Sequence, residues 1–216
     1  MEKQPVTRLS TERLLLRPWT EQDYAPFADM SMDPRVAEFL PPFADRAACM
    51  AFADRLRTTF ETQGWGFWVL EHKPDGLFAG MAGLHRPGPE FGVGRACVEI
   101  GWRLVPAFWR QGLATEAARA ILRFGFEVLK LPEIVSFTAV GNQRSCNVMK
   151  RLGMTFEKDF DFLLLPPGHP HRPHHLYVMT IMAPEAEAAA LQSDTWVEVF
   201  NSFRVIEPGS LVSSGS

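Results

Sequence analysis

The clearest periodicity in the chain runs from Ala114 to Lys130. Ala117, Ala118, Ile121, Phe124, Gly125 and Val128 recur at three- and four-residue steps, while Arg119, Arg123 and Glu127 line the opposite face. An apolar stripe of that width predicts a helix with one side buried. Pro132 follows its end. A second helix is predicted from Asn142, with Ser145, Val148, Met149 and Leu152 on one face. Lys150 and Arg151 suit its negative end and Gly153 its stop. Nearer the start, Thr20-Glu21-Gln22-Asp23 reads as a capping box opening a helix to about Met30. Asp33-Pro34 opens a short helix to about Phe39, broken by Pro41-Pro42. Asp45 caps a longer one, with Cys49, Phe52, Ala53, Leu56 and Phe60 at helical spacing.

Short apolar or alternating runs predict the strands. The first lies in the run Leu14 to Trp19 and is stopped at Pro18. Phe67 to Glu71 and Leu77 to Leu84 form a hairpin about the turn Lys73-Pro74-Asp75-Gly76. His85 to Gly94, rich in glycine and proline, reads as a surface loop. Cys97 to Leu104, Ile134 to Val140, Thr155 to Leu165 and His175 to Met182 complete the strands, with Pro166 to Pro173 linking the last two. Beyond Pro184 the pattern changes. Glu185 to Gln192 is alanine-rich and reads as helix, and Thr195 to Ile206 as a short strand or amphipathic appendage. Glu207 to Ser216 has the composition of a disordered end.

Composition narrows the class. At 216 residues, 46% hydrophobic and 22% charged, the chain is long enough for one full core. A net charge of -3 gives no basic excess for nucleic acid. Cys49, Cys97 and Cys146 are too widely spaced for a metal motif and odd in number, which fits reduced thiols in a cytoplasmic protein. The first five residues lack the apolar centre of a signal peptide, and no run approaches the ~20 apolar residues of a membrane span. The expected state is a monomer or homodimer with no membrane partner.

One stretch carries chemistry. Trp109-Arg110-Gln111-Gly112-Leu113-Ala114-Thr115-Glu116-Ala117 joins the strand Val98–Leu104 to the periodic helix. A turn of small residues that opens a helix converges backbone N–H groups on an anion, and the macrodipole adds roughly half a positive charge there. The dinucleotide fingerprint Gly-x-Gly-x-x-Gly and the Gly-Lys-Ser/Thr phosphate loop are absent here. Read by itself, the stretch favours an ordinary helix start after a tight loop.

With its neighbours it says more. Thr11-Glu12-Arg13-Leu14 with Arg17-Pro18, Val98-Glu99-Ile100-Gly101-Trp102, Trp109 to Ala117, Asn142-Gln143-Arg144-Ser145 through Met154, and Arg172-Pro173-His174-His175-Leu176-Tyr177 stand in one order. In that order the chain resembles the GNAT family of acyl-CoA-dependent N-acetyltransferases, and within it the RimJ/RimL-like branch, from about residue 8 to 182. That branch acetylates N-terminal amines of ribosomal proteins and includes relatives that act on other amines.

The resemblance implies an α/β (α+β) fold: a mixed, mostly antiparallel central sheet with splayed middle strands, flanked by helices. The domain would span residues 8–183, with 184–216 a partly disordered appendage. It implies acetyl-CoA as cosubstrate and direct transfer to a primary amine in a ternary complex. The family turn Gln/Arg-x-x-Gly-x-Gly/Ala, whose amides bind the pyrophosphate, is met by Gly112 and Ala114. Trp109 departs at its first position, and Arg110, Gln111, Leu113 and Thr115 complete the binding stretch. Backbone groups of Trp102, Arg103 and Leu104, with Asn142 and Ser145, would hold the pantetheine arm in a V-shaped gap.

For catalysis Glu99 is the candidate base, weighed against a structural carboxylate. Met149 stands where many relatives carry a tyrosine acid, so Ser145 and Tyr177 are the candidates for that role. A lysine-type amine, with a pKa of ~10.4, costs roughly 4–5 kcal/mol to neutralise at pH 7, but an α-amine only about 1 kcal/mol. An α-amine therefore needs only a modest base. Cys146 has no neighbouring base and is no nucleophile. His169, His171, His174 and His175 match no strong zinc spacing, so no metal is expected. Trp65, Phe67 and Trp68 could line the acceptor cleft, with core packing favoured. A non-catalytic acyl-CoA-binding or interaction protein on the same scaffold is the rival reading.

Overall fold

A computed structural model describes residues 7–180 and the strand at 204–206. Its strands are β1 (Arg8–Ser10), β2 (Leu14–Arg17), β3 (Phe67–His72), β4 (Leu77–His85), β5 (Glu99–Leu104), β6 (Glu133–Ala139), β7 (Thr155–Asp161), β8 (Pro173–Thr180) and β9 (Arg204–Ile206). They form one sheet in the order β7-β8-β6-β5-β4-β3-β2-β1-β9. Every neighbouring pair is antiparallel except β5 and β6, which are parallel. The helices are α1 (Tyr24–Met32), α2 (Pro34–Ala37), α3 (Arg46–Gln63), α4 (Leu113–Glu127) and α5 (Gln143–Arg151). This is the mixed, mostly antiparallel sheet flanked by helices that the sequence implies.

The helices sort by their stripes. Leu113, Ala117, Ile121 and Phe124 of α4 and Cys146 and Met149 of α5 pack in one core with Trp68, Leu84 and Ile100. Phe27 of α1 and Cys49 and Ala53 of α3 pack with Val69 and Met81 in the other. Asp45 caps α3 by accepting the Ala48 N–H at 2.8 Å, and Gly64, at φ 75°, ends it. Asp23 accepts the Thr20 N–H at 2.7 Å, but the turn it caps is a short 3-10 segment leading into α1. Arg17 ties this corner to the sheet, donating to Asp23 at 2.8 Å and Glu71 at 2.6 Å.

The differences from the sequence reading are local: β5 begins at Glu99, β8 at Pro173, and α4 ends at Glu127. β1 was not expected. Three residues are too few for alternation to register, and pairing with β2 and burial of Leu9 hold it in place. β7 stops at Asp161, short of Leu165, because the Phe162 N–H turns to the Arg172 carbonyl and the chain closes a turn at Leu165. Leu163 and Leu164 are left exposed. β4 runs one residue further, through His85. The alanine-rich segment and the final residues lie outside the described residues. The tail's strand at 204–206 adds antiparallel to β1.

The parting of β5 from β6 shapes everything that follows. Their shared register is the single pair Glu99 and Val135. The Val135 N–H donates to the Val98 carbonyl and the Ser136 hydroxyl to the Ile100 carbonyl, both at 2.9 Å. Beyond this, β5 stays paired with β4 through Leu104, and β6 with β8 through Ala139. Gly80, opposite Leu104, permits the close approach of β4: a Cβ there would lie 2.2 Å from the Arg103 carbonyl oxygen.

The loop between β1 and β2 clamps the start of α4. Glu116 accepts the Thr11 hydroxyl at 2.5 Å, the Arg13 N–H at 2.9 Å and the Arg13 Nε at 2.8 Å. Arg13 also donates to the Gln111 carbonyl at 2.9 Å. Burial alone would raise the Glu116 pKa, but these donors outweigh it and hold the carboxyl below its usual 4.5. The stabilisation is therefore present above pH 4.5 and lost as pH falls through the lower folded value. Glu116→Gln is expected to cost about 1 kcal/mol at pH 7, discounted for partial exposure. In urea titrations, the deficit relative to wild type should shrink below pH 4.5. A deficit independent of pH would show that charge is not what the clamp uses.

Candidate active site

The turn before α4 is built from both ends. A 3-10 segment, Pro106–Phe108, follows β5 and buries Phe108. Trp109 then turns inward, its indole N–H donating to the Leu104 carbonyl at 2.8 Å. Arg110 and Gly112 adopt left-handed backbone at φ 61° and 80°. The first helical bond runs from the Glu116 N–H to the Gly112 carbonyl, so Leu113, Ala114 and Thr115 present N–H groups with no helical acceptor. Leu113 and Thr115 are buried and fix the helix start, while Arg110, Gln111 and Gly112 are exposed. A Cβ on Gly112 would meet only the Arg13 guanidinium, at 3.6 Å. The space before the amides is open, and glycine is required there by the backbone angle.

The gap between β5 and β6 leads away from this turn. The Val98 and Ile100 carbonyls face β6, so strand alternation turns the backbone groups of Trp102 and Leu104 to the same edge. Their side chains pack toward α4, and Trp109 occupies the Leu104 carbonyl. Arg103 points the other way. Its half-buried guanidinium donates to the Ser31 hydroxyl of α1 at 3.0 Å and lies 5.7 Å from the Phe27 ring. Burial lowers its pKa to about 10, leaving it charged at neutral pH.

Across the gap, Asn142 follows β6 and caps α5. Its Oδ1 accepts the Ser145 N–H at 3.3 Å, and its Nδ2 donates to Thr138 Oγ1 at 2.9 Å and to Ser145 Oγ at 3.2 Å. Arg144 reaches back over the Trp109 ring at 4.5 Å and pairs with Glu38, joining three segments around the mouth of the gap.

At the closed end of the gap, Glu99 is 7% exposed. Its carboxylate contacts His85 Nε2, directly opposite in the β4–β5 register. Burial would lower the His85 pKa, but the charge and hydrogen bond of Glu99 more than offset it and raise it above 6.5. The His85 ring packs between Phe67 at 5.4 Å and Phe91 at 5.6 Å. A carboxylate beside an imidazole in an aromatic pocket is an arrangement that can take up a proton.

The remaining sequence candidates fall elsewhere. Tyr177 lies across β8, 6% exposed, in the core beneath α5, on the opposite face of the sheet from Glu99. Burial raises its pKa. Met149 is wholly buried in the same core, and burial pushes the Cys146 thiol up. The four histidines do not converge, and no group of three metal-ligating side chains occurs among the described residues. His174 is buried against Phe162 at 4.5 Å, its pKa lowered by burial to about 4, while His175 pairs with Asp159 at 2.5 Å. His171 meets Phe39 at 4.9 Å. Of the tryptophan cluster, Trp68 is core and Phe67 lines the site.

Two functional features were not read from the sequence. His85 was assigned to a loop. Extending β4 by one residue would have placed it opposite Glu99. The tie from Thr11 and Arg13 to Glu116 has no local sequence signal, because more than a hundred positions separate the partners.

Comparison with known proteins agrees with this geometry. The family model for the acetyltransferase (GNAT) domain matches residues 13–155. FsC-acetyl coenzyme A-N(2)-transacetylase of Aspergillus fumigatus is 32% identical over 171 residues, covering 74% of this chain and 71% of that one. The uncharacterised Bacillus subtilis protein YkkB is 28% identical over 153 residues, covering 70% of this chain and 87% of that one. Among solved structures, an acetyltransferase of Agrobacterium tumefaciens superposes with a TM-score of 0.65 at 28% identity, covering 81% of this chain and 94% of that one. The family-model match and the relative at 32% identity establish that the chain, with its parted β5 and β6, belongs to the GNAT family of acetyltransferases.

Proposed function

We propose that the protein transfers the acetyl group of acetyl-CoA directly to a primary amine in a ternary complex. The observation that carries this reading is the gap itself, with amide donors and Arg110 at one end and Glu99 with His85 at the other. The amides of Leu113, Ala114 and Thr115 fit the pyrophosphate, and the exposed edge of Trp102 and Leu104 fits the amides of the pantetheine arm. Asn142 stands on the facing wall.

In the reaction the amine nitrogen bonds to the acetyl carbon and the carbon–sulfur bond breaks. The amine's proton passes to the Glu99–His85 pair. Ser145, held by Asn142 on the facing wall, is the donor we assign to the leaving sulfur. Met149 offers no proton, and we assign Tyr177 to packing. Holding both reactants in line supplies most of the acceleration, several kcal/mol in such cases. Likeness to the RimJ/RimL-like branch and the small cost of neutralising an α-amine support a protein N-terminus as acceptor. A small-molecule amine suits the same chemistry. Three free thiols, Cys49, Cys97 and Cys146, support a reducing compartment, the cytoplasm.

Thiol release from acetyl-CoA with a panel of peptide and small amines tests the reaction. Tight binding without transfer to any of them would sink it. Mass spectrometry of products from cell extract would identify the acceptor class. Gly112→Val should abolish acetyl-CoA binding by calorimetry while thermal unfolding stays cooperative, because a β-branched residue resists φ 80°. Unchanged affinity would refute the pyrophosphate assignment. Glu99→Gln should lower kcat by about 10²–10⁴. In the same variant, the His85 ring, followed by NMR, should titrate below 6.5 rather than above it, since burial then acts alone. A His85 titration that does not move would mean that Glu99 does not govern the proton.

A further inference from the structure

A groove of about 570 Å³ runs along the outer side of the first turns of α4, from the β1–β2 turn toward the end of α5. Arg13, Arg110, Arg119, Arg123 and Arg151 border it, against the carboxylates of Glu12 and Glu116. Not all of these charges are available. Arg13 is bound to Glu116, and Arg123 pairs with Glu127 at 2.8 Å. Among the described residues, Arg110, Arg119 and Arg151 have no carboxylate within ion-pair distance.

The three unpaired arginines are not equivalent. Arg110 belongs to the turn and lies beside the free amides. Arg119 is six residues into the helix, roughly 9 Å beyond its first residue at 1.5 Å per residue. It shares a face with Glu116, Ala120 and Arg123. Arg151 is the last residue of α5. A diphosphate seated on the amides of Leu113 to Thr115 takes up Arg110 and leaves Arg119 and Arg151 for another anion. Two guanidinium groups match a phosphate monoester, which carries a charge of about −1.5 to −2 at pH 7.

We propose that Arg119 and Arg151 bind the 3′-phosphate on the ribose of coenzyme A and so select the cosubstrate over its 3′-dephospho form. The proposal rests on the acetyl-CoA reading above. It adds that recognition extends past the pyrophosphate to the far end of the nucleotide. Glu12 is the opposing acid on the groove, and its single charge leaves the pair of arginines in excess.

Calorimetric titration separates the two readings, with coenzyme A and 3′-dephospho-coenzyme A as probes at one fixed ionic strength. Wild-type protein should bind coenzyme A about tenfold or more tightly than the dephospho form, as expected for charge-assisted hydrogen bonds. The double variant Arg119→Ala, Arg151→Ala should lose that preference and keep wild-type affinity for the dephospho form, which also shows that it is folded. Equal binding of both probes by wild type would overturn the proposal and leave the acetyl-CoA reading intact. So would an equal loss of both affinities in the variant, which would indicate a diffuse field rather than a site. Failure of wild type to bind either probe would overturn both readings.

Discussion

The parallel pairing of β5 with β6 is the constraint on which the rest depends. Two parallel strands cannot be joined by a hairpin, so the chain must cross over, and α4 is that crossover. β5 therefore ends, and α4 begins, at the edge where the two strands part. β6 ends at the same edge, and α5 begins there. Both helix starts face the opening: that of α4 with unsatisfied N–H groups, that of α5 capped by Asn142. Ligands of open α/β sheets bind outside the carboxyl ends of parallel strands for this reason. Here the rule operates in a sheet that is otherwise antiparallel, because a single parallel step is enough.

The closed end of the gap has a different physics. Glu99 is nearly buried, and an isolated buried carboxylate would be costly. The cross-strand position of His85 supplies the compensating partner, and the rings of Phe67 and Phe91 pack beside it. The same pairing that makes Glu99 tolerable raises the affinity of His85 for a proton. Stability and basicity thus come from one contact. The mouth is the reverse: Arg110, Gln111 and Gly112 are exposed there.

Much of this was readable from sequence because it is local. The stripe of α4, the cap of α5 and the small residues at Gly112 and Ala114 each announce themselves within a few positions. Trp109 was read as a tolerable departure, and the structure gives it a purpose: its N–H closes off the Leu104 carbonyl while Arg144 stacks on its ring. What escaped was set by register or by distance along the chain. Whether His85 belongs to a strand depends on one residue of pairing, and glycine and proline after it argued for a loop. Nothing near Tyr177 says which face of the sheet it takes. Its burial beneath α5 follows from the pairing of β8 with β6. The histidines of the β7–β8 connection look like a group in sequence, but strand alternation sends His174 and His175 to opposite faces.

The clamp among Thr11, Arg13 and Glu116 has a consequence for how such a chain can change over time. Glu116 alone would leave a half-buried carboxylate without donors, and Arg13 alone a cation without its carboxylate partner. Neither loss is repaired by its neighbours in sequence, since more than a hundred positions separate the partners. A substitution at any one of the three therefore leaves the other two mismatched, and the start of α4 loses its tie to the β1–β2 loop.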